Sequence, residues 1–110
     1  MALPKFFERR VASRKSLTGL MPGKLFVAEK GNHVECKPVD ISDRGLGIIC
    51  AEQMDPGTKL TLKTHNQEIT MTVSWGKPDF GKRDLYRYGL RVEARDLDLE
   101  ELFIKTGCLR

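Results

Sequence analysis

The sequence predicts a mainly β protein: a six-stranded antiparallel barrel with a flexible N-terminal arm before it and a C-terminal α-helix after it. Three observations predict this. From Lys24 to Val92 apolar residues recur mostly at every second position, the period of a strand buried on one face. Turn signals at Gly31-Asn32, Asp55-Pro56-Gly57 and His65-Asn66-Gln67 divide that stretch into short segments about ten residues apart, the spacing of a small barrel or sandwich. Only beyond Asp98 does the period lengthen to that of a helix.

Residues 1–23 form the arm. Phe6 and Phe7 are mixed with arginines there, and Gly19, Pro22 and Gly23 oppose a stable helix. The first strand is Leu25 to Glu29, followed by a hairpin turn over Lys30 to His33. Val34 to Val39 is the second strand, with Pro38 marking an edge or an irregularity. A turn over Asp40 to Gly45 leads into the third, Leu46 to Ala51. Lys59 to Lys63 and Ile69 to Trp75 alternate cleanly and make the fourth and fifth. In the sixth, Tyr86 to Val92, residues Tyr86, Tyr88, Leu90 and Val92 share a face, which makes core or rim the expected place of both tyrosines. Asp98 and Glu101 resemble a capping box, Leu99, Leu102 and Phe103 lie on one helical face, and Gly107 suits the position after the last turn. A helix of eight to ten residues is expected to cover one barrel end.

A chain of 110 residues, 40% apolar and 31% charged, fits one soluble globular domain, with 24–110 as its folded part. No apolar run is long enough to cross a bilayer as a helix, and the N-terminus lacks the pattern of a signal peptide. Three scattered cysteines have no metal-ligand spacing, and free thiols favour a reducing compartment, so the expected location is cytoplasmic. The net charge of +4 is all in the arm: residues 1–15 carry five basic side chains and one acidic, and the rest of the chain balances. Such a compact patch suits a small anionic ligand better than duplex DNA, whose binders spread positive charge over a face.

Two short segments carry the candidate chemistry. Arg10 and Arg14 are four apart, so one helical turn or compact bend presents both on one side, with Arg9 beside them. Guanidinium groups bind phosphates, fork onto guanine O6 and N7, or stack on a purine. Asp40 and Ser42, two apart on extended backbone, point the same way, and Gly45 permits a positive φ or a close approach by a ligand. Asp40 can accept from guanine N1–H and N2–H. Taken alone, Asp40 and Ser42 read better as a turn that closes a hairpin through its own side chains. Trp75 shares the face of Ile69, Met71 and Val73, which favours the core, yet it ends its strand before Gly76, where the ring could stack on a base. His33 and His65 lie in separate turns, and no nucleophile–base pair, phosphate-binding loop or acid pair stands out, so neither a catalytic nor a metal site is expected.

Arg10-Val11-Ala12-Ser13-Arg14 and Asp40-Ile41-Ser42-Asp43-Arg44-Gly45 together resemble the R-x-x-x-R and D/N-x-S-x-x-G signature of the PilZ domain family of bacterial cyclic di-GMP receptors. Leu46-Gly47-Ile48 and Tyr88-Gly89-Leu90-Arg91-Val92 resemble that family's strands, so the similarity spans roughly residues 8 to 95. The resemblance implies a PilZ-like barrel that binds cyclic di-GMP through Arg9, Arg10, Arg14, Asp40, Ser42 and Gly45, with no cofactor and no enzymatic activity. It implies a single-domain effector that relays the second messenger to a protein partner, with flagellar or chemotaxis machinery and control of motility or surface behaviour as candidate outputs. Two ligand molecules per protomer are expected, because an intercalated dimer needs the extra donor that Arg9 supplies. Two other readings remain. A small RNA- or single-strand-binding barrel would want outward aromatics flanked by basic residues. An interaction module with the fold but no ligand would be expected to carry a broken motif.

Overall fold

The computed structural model describes residues 17–79, 81 and 84–109. Residues 1–16, which hold Arg9, Arg10 and Arg14, lie outside them. Among the described residues seven strands and one helix follow in order: β1 (Lys24–Val27), β2 (His33–Val34), β3 (Cys36–Ile41), β4 (Gly45–Cys50), β5 (Lys59–Lys63), β6 (Glu68–Pro78), β7 (Tyr86–Val92) and α1 (Leu99–Lys105). They form one antiparallel sheet in the order β2-β1-β5-β6-β7-β4-β3. The sheet is curled into a half-barrel, because its two edge strands, β2 and β3, are joined by the single residue Glu35.

The count is seven rather than the expected six. The segment expected to be one strand, Val34 to Val39, changes partners at Glu35: Val34 pairs with Leu25 on β1, whereas Cys36 pairs with Cys50 on β4. A run of alternating residues shows that a segment is extended, but not that it keeps one neighbour. The helix is also shorter than expected, at seven residues.

The period of two holds through most of the sheet. Leu25, Leu60, Leu62, Ile69, Met71, Val73, Leu90 and Val92 all point inward and are buried. Tyr88 is buried and Tyr86 half-buried; the Tyr88 hydroxyl donates to the Glu52 carbonyl (2.7 Å) and accepts from Met54 N–H (2.9 Å). Helix α1 adds Leu99, Leu102 and Phe103 to the same cluster. Its N-cap is Asp98, whose carboxylate accepts from Glu101 N–H (3.2 Å), and Gly107 at φ 78° follows its last turn.

The last part of the expected arm is held. Leu17 bridges Leu109, and the Thr18 N–H and hydroxyl both donate to the Cys108 carbonyl (3.1 and 3.2 Å). The chain returning from α1 supplies that acceptor, which composition alone does not reveal. Among the described residues no helix is long and apolar enough to cross a membrane.

Candidate ligand-binding groove

The site is built on two bulges. On β3 the register passes from Pro38↔Ile48 to Asp40↔Gly47, leaving Val39 as the extra residue. On β6 it passes from Val73↔Leu90 to Trp75↔Gly89, leaving Ser74 extra. One extra residue inverts the alternation for everything beyond it. Asp40, which would otherwise follow Pro38 inward, reaches the outer face, and so does Trp75, which would otherwise follow Val73. The core position favoured for Trp75 by alternation is therefore corrected: the ring is 46% exposed, and its strand continues to Pro78.

The outer face then carries one continuous row across four strands: Asp40 on β3, Gly47 on β4, Gly89 on β7 and Trp75 on β6. Asp40 folds over Gly47, where an added Cβ would lie 2.9 Å from the Asp40 Cγ. Trp75 lies over Gly89, where a Cβ would meet the indole Cε2 at 2.5 Å. Two bare glycines thus floor a groove walled at one end by a carboxylate and at the other by an indole. The groove encloses about 400 Å3, and its lining also includes Ser42, Gly45, Ser74 and Arg91. A larger, more apolar groove of about 830 Å3 follows the open seam along β3, past Leu20, Met21 and Cys36, and takes in none of the motif residues.

Within the motif the six residues divide their work. Asp40 is part of β3 rather than of a turn, and its carboxylate makes no hydrogen bond among the described residues. The turn is closed by Ser42: its N–H donates to the Gly45 carbonyl (2.9 Å), and its Oγ accepts from Gly45 N–H (3.0 Å). The serine hydroxyl hydrogen stays free to donate. Gly45 needs no positive φ; a Cβ there would crowd Ser42 Oγ at 3.3 Å and the Leu90 carbonyl at 3.4 Å. Asp43 does not line the groove, and Arg44, which does, commits its guanidinium to backbone carbonyls. The Asp43 carbonyl accepts from Leu99 N–H at the start of α1 (2.9 Å). Arg44 donates to the carbonyls of Val92 (3.1 Å), Leu97 (3.2 Å) and Ala94.

Arg91 was not singled out from the sequence. It pairs with Gly45 on β4 and Thr72 on β6, is exposed on the outer face, and has no ion-pair partner among the described residues. The available signal was its parity with Gly89: two residues apart on β7, they share the face opposite Tyr88 and Leu90. Of the expected site residues, Asp40, Ser42, Gly45 and Trp75 come together, and Arg91 joins them. Arg9, Arg10 and Arg14 lie outside the described residues. No group of three potential metal ligands occurs among the described residues.

The groove can hold a planar, hydrogen-bonding ligand that carries negative charge. The indole offers a stacking face, the carboxylate accepts from an amidine-like edge, and Arg91 attracts phosphate. No curated protein and no solved structure gives a significant match to the chain. The model of the PilZ domain matches residues 8–105, nearly the whole length, and the chain belongs to the PilZ domain family.

Proposed function

We propose that this protein is a receptor for cyclic di-GMP, bound on the outer face of the half-barrel, that passes the level of this second messenger to a protein partner. Membership of the PilZ domain family implies the ligand. The observation that carries the placement is the row Asp40–Gly47–Gly89–Trp75, with Arg91 one step along on the same face. In this reading Trp75 stacks on a guanine and Asp40 accepts from its N1–H and N2–H. Ser42 donates its free hydroxyl hydrogen, and the two glycines leave room for the Asp40 carboxylate and the Trp75 indole against the sheet. Arg91 holds a phosphate from the barrel side, and Arg9, Arg10 and Arg14 hold the ligand from the arm. These contacts involve no bond making, which agrees with a non-catalytic receptor.

The proposed partner belongs to motility or surface-behaviour machinery, and the proposed setting is the cytoplasm, which three unpaired cysteines suit. Two ligands per protomer remain part of the proposal, with Arg9 contacting the second. Titration calorimetry tests both points. Cyclic di-GMP is expected to bind with a ratio of two, cyclic di-AMP more weakly, and a short single-stranded oligonucleotide hardly at all. A ratio of one in the unmodified protein removes the dimer, and tighter binding of the oligonucleotide replaces the reading with that of a nucleic-acid barrel.

A further inference from the structure

The Trp75 indole has a cation over it. Lys77 lies two residues further along β6, on the same outer face, and its Nζ sits over the indole ring, 5.7 Å from the centroid. Ser74, Trp75 and Arg91 line the groove, and Lys77 does not. Lys77 pairs across the sheet with Arg87, which continues through Ile49 to Lys37, so a basic row runs parallel to the glycine row. Within that row Arg87 is turned toward Asp79, with Nε 3.7 Å from its carboxylate. Lys77 has no ion-pair partner among the described residues, and its ammonium is committed to the ring. The indole needs such support. Its strand is bulged at Ser74, nearly half its surface is open, and beneath it is the bare backbone of Gly89.

We propose that Lys77 is a positioning residue for Trp75: its ammonium lies over the indole and holds the ring in the orientation that walls the groove. This rests on the stacking role proposed for Trp75. An exposed side chain on a bulge otherwise exchanges between staggered rotamers, only some of which wall the groove. A cation over the ring face favours one of them through the attraction between the charge and the π-system. Binding of a planar base then does not have to order the indole first.

Trp75 is the only tryptophan of the chain, so its fluorescence reports on this ring alone. The experiment compares the unmodified protein with Lys77→Met, Lys77→Arg and, as a charge control in the same row, Lys37→Met. In the absence of ligand, Lys77→Met is expected to change the Trp75 emission and lower its anisotropy, Lys77→Arg to restore both, and Lys37→Met to leave both unchanged. Lys77→Met should also bind cyclic di-GMP about two- to fivefold more weakly, again restored by Lys77→Arg. Unchanged emission and anisotropy in Lys77→Met overturn the proposal. So does an equal loss of affinity in Lys37→Met, which reduces the effect to charge. If the unmodified protein binds no cyclic di-GMP, the ligand reading fails, and the emission of the free proteins still decides the role of Lys77.

Discussion

Gly47 and Gly89 stand directly opposite one another on β4 and β7, and each lies beneath a side chain from its other neighbour, Asp40 on one side and Trp75 on the other. Neither glycine is needed for backbone conformation, since neither has a positive φ. Each is needed because a Cβ would push out the residue that walls the groove.

Gly89→Ala is therefore expected to damage binding more than folding. The added methyl meets the indole, an exposed side chain that can swing aside, so the melting temperature should drop by no more than about 4–8 °C, the equivalent of about 1 kcal/mol in a domain of this size. Affinity for cyclic di-GMP should fall at least tenfold, roughly 1.4 kcal/mol, and the Trp75 emission should move in the free protein. Normal affinity with a displaced emission would mean that the ring does not contact the ligand.

Asp40 and Ser42 separate ligand work from structural work. Asp40→Ala removes a carboxylate that makes no hydrogen bond in the described structure, so cyclic di-GMP binding and the preference for guanine should be lost with the melting temperature nearly unchanged. Ser42→Ala leaves Gly45 N–H without its acceptor and should cost about 1 kcal/mol of stability in addition to weaker binding. Urea denaturation of the two variants checks this. An Asp40→Ala protein as destabilised as Ser42→Ala would show that the carboxylate supports the turn.

Arg10→Ala and Arg14→Ala should each weaken binding roughly ten- to a hundredfold, given about 1.5–3 kcal/mol for a charge-assisted contact. Their melting temperatures should match that of the unmodified protein. Hydrogen exchange with and without cyclic di-GMP should show protection gained over residues 5–16 and around Asp40, with β5 nearly unchanged. Leu17 and Thr18 are already tied to the C-terminal segment and should change little. Equal protection over residues 5–16 in both states would mean that the ligand does not recruit the arm.

The thiols give a pH signature. Burial, and then the neighbouring Cys50 sulfur, push the Cys36 thiol from 9.0 up to about 12. A raised value in the folded state favours the protonated form, so its contribution is complete below about pH 9 and declines as pH rises from there toward about pH 12. Urea unfolding at about pH 8 and about pH 10.5 should show the unmodified protein losing up to about 1.4 kcal/mol per pH unit from this group. Cys36→Val should lose less. Identical pH profiles would mean that Cys36 is solvated in the folded protein.

Much of this structure was legible in the sequence because its signals are local. The alternation of Leu60 with Leu62 and of Ile69 with Met71 placed β5 and β6, and Asp98 and Gly107 fixed the ends of α1. What escaped depends on neighbours far along the chain. A strand's parity is reset by one unpaired residue, and nothing local distinguishes Ser74 or Val39 as that residue. The outward turn of Trp75 therefore could not be read from its own segment. The change of partner at Glu35 was hidden for the same reason, since it depends on β1 and β4 rather than on residues 34–39. Arg91 was readable by parity with Gly89, but gained meaning only once the bulge brought Trp75 beside it.

Five hydrogen bonds from or to the middle of the motif run to the chain that leads into α1: Leu99 N–H to the Asp43 carbonyl, Val92 N–H to the Arg44 carbonyl, and the Arg44 guanidinium to the carbonyls of Val92, Ala94 and Leu97. The two unspecified letters of D-x-S-x-x-G that precede its glycine thus act in this chain as the mooring of the C-terminal helix. A change at Arg44 that leaves Asp40, Ser42 and Gly45 intact would look harmless against the signature, yet it would release the helix that closes one end of the core. In a screen scored by ligand binding such a variant would be counted as having lost a ligand contact, when what it has lost first is the anchorage of a helix.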